Sequence, residues 1–215
     1  MNILVIGANG QVGRNIVKEL AESNHDAVAM VRKEQQVDTL KELGAAKVVL
    51  ADLEKDFSDA FDGVDAVIFA AGSGPKTGPD KTLTIDLWGS VKAMRYAEEK
   101  GVKRFVQLSS VGTDNPDAGG ESMKPYLVAK RAADDLLLTT GLEYTIVRPG
   151  PLSDEEKSGK IEATTEGFES FENRSIPRAD VANVLVSVID RPNTYNKIFE
   201  VLQGEHETGQ ALESL

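Results

Sequence analysis

Apolar runs of strand length alternate with helical patterns along most of the chain. The pattern predicts strands at residues 2–6, 27–31, 47–50, 65–70, 104–108 and 143–148, separated by helices at 11–23, 34–43, 56–61, 80–100 and 124–140. These strands are almost continuously apolar, which is typical of a parallel sheet that helices cover on both faces. Gly44, Gly101 and Gly141 each follow a helical stretch, where glycine often ends a helix. We therefore predict an α/β fold built on a doubly wound parallel sheet.

The pattern changes after Pro149. Residues 150–175 are polar, with only short apolar pieces. A helix then opens at Arg178, a strand follows at 197–202, and a short helix ends the chain. This last third is too small for a second full domain. We expect a single domain over the whole chain, with its last third forming a small cap on the substrate side of the sheet.

Three glycines follow the first strand with the spacing GxxGxxG, and a helical pattern starts at once after them. Glycines allow a tight turn and a close approach to a pyrophosphate, whose charge then faces the free N–H groups of the helix. The triplet is also compatible with an ordinary tight turn, but its position between a strand and a helix favours dinucleotide binding in a Rossmann fold. The predicted cofactor-binding residues of this turn are Gly7, Ala8, Asn9, Gly10, Gln11, Val12 and Gly13.

The second strand runs into Arg32 and Lys33, and no acidic residue stands at its end. An acid at this place usually binds the ribose 2′-hydroxyl of NAD, whereas an Arg accommodates the 2′-phosphate of NADP. The two cations are also compatible with a solvated helix start. Since cations are unfavourable near a helix N-terminus, however, a bound anion is the better explanation. We predict that NADP(H) is preferred over NAD(H).

The third strand ends at Asp52 and Leu53, which we place beside the adenine. Asp52 either accepts a hydrogen bond from the adenine amino group or caps the next helix. Small residues end the fourth strand and let the backbone approach the cofactor, whereas the glycine-rich segment 72–79 is expected to form a flexible rim. These small cofactor-binding residues are Ala70, Ala71 and Gly72.

The fifth strand ends at Ser109 and Ser110, and Tyr126 and Lys130 follow on the next predicted helix. Residues four apart share one helix face, so the phenol and the ammonium are expected to be neighbours. The ammonium would lower the pKa of the phenol, which would then exchange a proton near neutral pH. One of the two serines would bind the same substrate oxygen. This set of residues is the apparatus for carbonyl or alcohol chemistry beside a nicotinamide.

Composition excludes several other classes of protein. The 215 residues carry 24 basic and 35 acidic side chains, a net charge of −11, which argues against a nucleic-acid partner. There is no Cys and there are only two His, so we predict no metal site. We see no leader peptide before the first strand and no apolar run long enough to cross a membrane, and we therefore expect a cytoplasmic protein without a membrane partner.

These motifs, together with the segment Tyr144–Gly150, resemble the short-chain dehydrogenase/reductase superfamily. The chain is most similar to its atypical branch, which is related to extended epimerases/dehydratases and includes NmrA-like and biliverdin/flavin reductase-like proteins. The resemblance implies that Ser109 or Ser110, Tyr126 and Lys130 are catalytic and that Lys130 also binds the nicotinamide ribose. It further implies that residues near the nicotinamide include Pro149, Gly150 and Pro151.

The chain departs from the superfamily at Asp86, where an Asn usually holds a water that relays protons to the lysine. An Asp would still accept hydrogen bonds, but it would add a negative charge near Lys130. We treat Asp86 as a candidate catalytic residue and the standard relay as doubtful. Trp88, on the same predicted helix, is expected to pack in the core or at a dimer face.

We predict an NADP(H)-dependent oxidoreductase that acts on a small carbonyl or alcohol-type molecule. The alternative is a non-catalytic sensor of the NADP(H) redox state, as among NmrA-like proteins. Epimerase or dehydratase chemistry on a nucleotide sugar is less favoured, because the C-terminal region is short. The expected assembly is a monomer or a homodimer.

Overall fold

The computed structural model describes residues 1–74 and 76–215; Pro75, in the predicted rim, lies outside the described residues. Strands are distributed along the whole chain and alternate with helices as far as residue 149. The strands are β1 (Asn2–Ile6), β2 (Asp26–Val31), β3 (Lys47–Leu50), β4 (Ala66–Phe69), β5 (Arg104–Leu108), β6 (Glu143–Pro149), β7 (Leu152–Ser153), β8 (Lys160–Thr164), β9 (Ile176–Pro177), β10 (Lys197–Gln203) and β11 (His206–Glu207).

Most of the helices connect successive strands of the sheet. A π-helical stretch, Thr82–Leu87, joins the third helix to the fourth without a break. Within the described part of the chain, no helix is long and apolar enough to cross a membrane. The helices are α1 (Gln11–Ala21), α2 (Val37–Glu42), α3 (Pro79–Lys81), α4 (Trp88–Glu99), α5 (Lys124–Leu137), α6 (Arg178–Ser187) and α7 (Thr208–Glu213).

The main sheet has the strand order β3-β2-β1-β4-β5-β6-β10-β8-β11. In this spatial order the first seven strands, from β3 to β10, are parallel to one another. Ile3 of β1 lies between Ala27 of β2 and Ala66 of β4. The chain therefore adds β2 and β3 on one side of β1 and then crosses over to add β4, β5 and β6 on the other side. Such a switch point leaves a crevice at the carboxyl ends of the strands, where ligands bind. This arrangement confirms the predicted doubly wound α/β fold.

Alternate residues of β1 enter two separate apolar layers. Ile3 and Val5 belong to the layer that contains buried residues of α1 and α6. Leu4 and Ile6 belong to the opposite layer, which contains buried residues of α4 and α5. Because successive side chains of a strand point to opposite faces, a continuous apolar run is what a sheet covered on both sides requires. The layers hold the carboxyl ends of the strands, and hence the candidate site, in fixed positions.

Some local predictions need correction. The helix predicted at 34–43 begins with a 3₁₀ turn before α2, and the one predicted at 56–61 is only the 3₁₀ turn Ser58–Phe61. Gly44 and Gly101 do adopt left-handed φ values of 98° and 74°. Gly141 was wrongly placed at the end of a helix: α5 already ends at Leu137, and the Gly141 amide instead donates to Glu98 Oε1 at 2.9 Å.

The segment after Pro149 contributes further strands that the sequence analysis did not predict. β8 pairs antiparallel with β10, with Val201 opposite Ala163, and β11 pairs with β8 beyond it. β7 and β9 form a separate short pair, with Leu152 opposite Ile176. Their alternation of exposed and buried residues is too short to stand out against the polar composition of this region. The segment thus extends the sheet beside β6.

Candidate active site

The turn between β1 and α1 is packed too tightly for side chains at two of its glycines. Gly7 has φ of +91°, and a Cβ placed there would lie 2.6 Å from the main-chain nitrogen of Ala71. A Cβ at Gly13 would lie 2.1 Å from the oxygen of Gly7. Ala8 and Val12 are buried beneath the turn. The glycine turn therefore rests directly on the small residues after β4, which joins two of the predicted cofactor-binding segments.

The start of α1 offers backbone amides to a ligand. Gly10 is its N-cap; no side chain among the described residues caps it, and its first turn contains no acid. Asn9 is oriented by Arg14, whose Nη2 donates to Asn9 Oδ1 at 2.8 Å, and Gln11 is exposed. A helix N-terminus with open amides attracts phosphate. The glycine turn has no room for a Cβ at Gly7 or Gly13, and it leads into a helix whose first amides are uncapped. This geometry fits the pyrophosphate of a nicotinamide dinucleotide.

A cavity of ≈ 540 Å³ opens at the carboxyl ends of β2 and β3. Arg32 and Asp52 line it together with Lys55, so residues from two predicted segments meet there. The amides of Arg32 and Lys33 both donate to Gln36 Oε1, at 3.2 and 3.0 Å, which fixes the chain at the end of β2. The Arg32 side chain is exposed toward the cavity, whereas Lys33 is not among the residues that line it.

Asp52 and Leu53 take different positions although they are adjacent. Asp52 Oδ1 accepts a hydrogen bond of 3.0 Å from the amide of Glu54, so the carboxylate stabilises the turn after β3. Leu53 packs against Gly89 of α4, where a Cβ would lie 3.4 Å from Leu53 Cδ1. Asp52 therefore lines the cavity, whereas Leu53 turns away from it and packs against the apolar core.

Asp86 holds the loop that follows β4. Its side chain is 1 % exposed, and Oδ2 accepts a hydrogen bond of 2.9 Å from the amide of Ser73. A Cβ on Gly72 would lie 3.1 Å from Asp86 Oδ1, so the loop and the carboxylate are in close contact. Asp86 lies in the π-helical stretch, a geometry that is frequent at functional sites. The carboxylate is thus used to anchor the segment Ala70–Gly72 rather than only to face the lysine.

Lys130 is buried on the face of α5 that points to the sheet. The side chain is 2 % exposed, and its Nζ donates to the main-chain oxygen of Leu108 at 2.5 Å. Burial lowers the pKa of Lys130, and the negative charges of Asp86 and Asp134 oppose this shift. The predicted proximity of Asp86 to Lys130 is therefore present, and it favours the charged ammonium.

Tyr126 lies one helical turn before Lys130 and has its phenol beside Ser110. Burial is the largest cause that raises the pKa of Tyr126 above its ordinary value of 10.0, and Asp86 and Asp134 raise it further. A hydrogen bond with Ser110 acts in the opposite direction. We expected the ammonium to lower this pKa, and that expectation was wrong, because lost hydration and two nearby carboxylates outweigh the favourable interactions.

The two serines after β5 point in different directions. Ser109 is buried, and its hydroxyl donates to Asp134 Oδ2 at 2.8 Å. Arg148 of β6 binds the same oxygen, with its Nη2 at 3.0 Å. Ser110 is only partly buried; its hydroxyl donates to the main-chain oxygen of Val111 at 3.1 Å, and its interaction with the phenol lowers the pKa of Tyr126. Of the two candidates, Ser110 is therefore the one beside the phenol.

The residues after β6 are fixed by main-chain hydrogen bonds. The oxygen of Pro149 accepts from Val111 at 3.1 Å, and the amide of Gly150 donates to Val201 at 3.0 Å. The oxygen of Pro151 accepts from the amide of Ile176 at 2.9 Å. These bonds tie the segment to the loop after β5, to β10 and to β9, at the same edge of the sheet as the glycine turn.

Comparison with known proteins decides the family of this site. A family model described as NAD(P)H-binding matches residues 7–192, which include the glycine turn, the Tyr126–Lys130 pair and β6. The chain belongs to this NAD(P)H-binding family. Its members bind a nicotinamide dinucleotide, in agreement with the tight glycine turn and the open start of α1.

Individual members of the NAD(P)H-binding family carry different functional names. The chain is 41% identical to an uncharacterized sugar epimerase of Bacillus subtilis, over 100% of both chains. It is 52% identical to a solved structure from Bacillus halodurans that is provisionally named an NAD-dependent epimerase/dehydratase, with a TM-score of 0.98 over 100% of both chains. The structure of an oxidoreductase from Lactococcus lactis is 31% identical, with a TM-score of 0.86 over 100% of this chain and 96% of its own.

Two residues at the centre of the site, Asp134 and Arg148, were not among the predicted site residues. Asp134 follows Lys130 by four positions, so the helix periodicity that paired Tyr126 with Lys130 also placed Asp134 on that face. Arg148 lies in the Tyr144–Gly150 segment that carried the resemblance. Its ion-pair partner is on a different element, α5, so the sequence around Arg148 does not reveal it. Their ion pair depends on the contact between α5 and β6.

Proposed function

We propose that this member of the NAD(P)H-binding family is an NADP(H)-dependent oxidoreductase of the atypical short-chain type, which reduces a small carbonyl compound. The observation that carries the proposal is the position of buried Lys130 one helical turn after Tyr126 on α5, with the partly buried Ser110 beside the phenol. This group lies at the same edge of the sheet as the glycine turn. An acid, a hydroxyl and a cation at this place are what the reduction of a carbonyl requires.

Tyr126 is the proton donor in this mechanism. The glycine turn and the open start of α1 would hold NADPH, which would supply the hydride to the carbonyl carbon and would itself be oxidised to NADP⁺. The Tyr126 hydroxyl donates its proton to the carbonyl oxygen, so the product is an alcohol, and solvent then returns a proton to Tyr126. The raised pKa of Tyr126 suits this direction, because the phenol remains protonated at neutral pH. Ser110 orients the oxygen, and the charge of Lys130 stabilises negative charge on it.

The preference for NADP(H) rests on Arg32. Its exposed guanidinium lines the cavity at the ends of β2 and β3, where the adenosine half of the cofactor is expected. Asp52 and Asp56 line the same cavity, but neither stands at the end of β2, the place of the acid that selects NAD. A planar guanidinium binds phosphate through paired hydrogen bonds, which gives it the advantage over a lysine.

A panel assay tests the reductase function. Aldehydes, quinones, flavins and nucleotide sugars are offered with NADPH, and its oxidation is followed by absorbance. We expect turnover with at least one carbonyl compound and its loss in Tyr126→Phe. Conversion of a nucleotide sugar without net cofactor oxidation would instead support an epimerase, the function in the name of the Bacillus subtilis relative.

One observation favours the second candidate, a non-catalytic sensor of the NADP(H) redox state. The raised pKa of Tyr126 keeps the phenol protonated at neutral pH, so it does not accept a proton there and the oxidation of an alcohol is disfavoured. A sensor would bind both NADPH and NADP⁺ and would show no turnover across the panel. It would also adopt different conformations with the two cofactors, which limited proteolysis or hydrogen exchange would detect.

A further inference from the structure

Asp134 is a fully buried carboxylate that joins three parts of the site. Its side chain is 0 % exposed, and Oδ2 accepts hydrogen bonds from Ser109 Oγ at 2.8 Å and from Arg148 Nη2 and Nε at 3.0 and 3.2 Å. Ser109 comes directly before Ser110, Arg148 comes directly before Pro149, and Asp134 itself lies on α5. One oxygen atom therefore connects the ends of β5 and β6 to the helix that carries Tyr126.

The orientation of Ser109 determines where Ser110 can point. Asp134 holds the Ser109 hydroxyl inside the protein, whereas the adjacent Ser110 is partly exposed and donates to the main-chain oxygen of Val111 at 3.1 Å, on the side of Tyr126. The same carboxylate lies two helical turns after Tyr126 and one after Lys130. A shift of Asp134 would thus move both Ser110, through Ser109, and Tyr126, through α5.

Stability alone does not explain this buried ion pair. Asp134 Oδ1 is buried and has no hydrogen-bond partner among residues 1–74 and 76–215. A buried polar atom without a partner lowers the free energy of unfolding, and a buried ion pair is often no more stabilising than apolar residues of the same volume. The geometry that Asp134 imposes on its neighbours is the better reason for its presence.

We propose that Asp134 is a positioning residue of the reductase: through Ser109 and Arg148 it fixes the ends of β5 and β6 against α5, and so sets the position of Ser110 relative to Tyr126. The inference rests on the proposed function, in which Tyr126 donates the proton. It assigns a role to two residues, Asp134 and Arg148, that do not reach the expected substrate.

The test compares Asp134→Asn with the matched control Asp135→Asn. Both remove one negative charge from α5, but Asp135 is half exposed and forms its ion pair with Arg131 on the same helix. Four properties are measured: thermal unfolding, NADPH affinity, kcat with KM, and the ¹³C resonance of the Tyr126 ring during a pH titration, assigned with Tyr126→Phe.

We expect Asp134→Asn to lower kcat at least about tenfold, since small misplacements of reacting groups have large effects on rate, while NADPH affinity changes less than about threefold. The Tyr126 resonance should move at neutral pH, and its titration should occur at lower pH, because Asp134 raises the pKa of Tyr126. Asp135→Asn should change neither. If Asp134→Asn lowers only the unfolding temperature and matches the control in kcat and in the Tyr126 resonance, the residue is merely structural and the proposal is overturned.

Ser109→Ala provides a second route if Asp134→Asn does not fold. It removes one of the three hydrogen bonds and leaves the ion pair intact, so it should reduce kcat and move the Tyr126 resonance in the same direction. The double variant should lower kcat by less than the product of the two single effects, because both act through one network. Multiplicative effects in the double variant, or an unchanged Tyr126 resonance in Ser109→Ala, would overturn the proposal.

The resonance also separates this proposal from the proposed function. A wild-type protein without turnover on any carbonyl compound contradicts the reductase function. In that case a Tyr126 resonance that moves in Ser109→Ala, which leaves every charge in place, still supports the positioning role, and a resonance that stays in place refutes it.

Discussion

The ammonium of Lys130 donates a hydrogen bond of 2.5 Å to the main-chain oxygen of Leu108, the last residue of β5. This bond fixes α5 to the strand that precedes the two serines. Lys130 therefore has a structural role in addition to any role in chemistry.

Replacement of Lys130 should affect both stability and activity. In Lys130→Met the oxygen of Leu108 loses its partner, and the buried carboxylates Asp86 and Asp134 lose a compensating charge. We expect the free energy of unfolding to fall by roughly 1–3 kcal/mol, the cost of an unsatisfied buried polar group. Denaturant unfolding measures it, with the exposed Lys103→Met as control. Equal stability of the two variants would contradict the anchoring role.

Tyr126→Phe should separate catalysis from cofactor binding. The substitution removes only the hydroxyl that donates the proton, so kcat should fall by roughly 10²–10⁴-fold while NADPH affinity is nearly unchanged. Tyr144→Phe is the matched control, since Tyr144 lies near the opposite end of β6, away from the site. Steady-state kinetics and fluorescence titration check the two halves of the prediction. Surviving turnover in Tyr126→Phe would assign the acid to another group.

Arg32→Ala should weaken NADPH binding selectively. Loss of a hydrogen bond to a charged group corresponds to roughly 1.5–3 kcal/mol, so we expect about a tenfold or larger rise in the Kd for NADPH and little change for NADH. Lys41→Ala, on the exposed face of α2, serves as the control for net charge. Calorimetric titration of both cofactors decides the matter. Tighter binding of NADH than of NADPH by the wild-type protein would refute the preference itself.

Gly13→Ala should damage the glycine turn. Its Cβ would lie 2.1 Å from the oxygen of Gly7, so the turn must open. We expect a loss of roughly 1–3 kcal/mol of stability from overpacking, and loss of detectable cofactor binding. At Gly120 nothing lies within 4 Å of an added Cβ, so Gly120→Ala should behave like the wild type. Retained NADPH affinity in Gly13→Ala would show that the cofactor does not use this turn.

The pH dependence of reduction should report on Asp86. Since Tyr126 acts as an acid, kcat/KM falls only when the pH exceeds the raised pKa of Tyr126. In the wild-type protein the falling limb of the pH profile, which reports the deprotonation of Tyr126, should therefore lie above a pH of about 10. Asp86 raises this pKa, so Asp86→Asn should move the falling limb to lower pH. The exposed Asp80→Asn should leave the limb in place. A limb that moves to higher pH in Asp86→Asn would contradict the assigned electrostatics.

Much of the fold could be predicted because it depends on local pattern. β1, β3 and β5 begin and end where the apolar runs do, and the glycine turn follows β1 as expected. β8 was missed, because the backbone of β10 completes a strand that its own polar residues do not indicate. Gly141 was misplaced, because the side chain of Glu98, distant in sequence, determines its environment.

The sequence by itself determined the order of the strands as far as β6, the tight turn at Gly7 and the shared helix face of Tyr126 and Lys130. Each of these follows from steric limits or periodicity over a few neighbouring residues. Only the tertiary structure decided that Ser109 is buried against Asp134 while Ser110 stays partly exposed, and that the pKa of Tyr126 is raised. Burial and the placement of charges arise from contacts between distant segments, and no local pattern contains them.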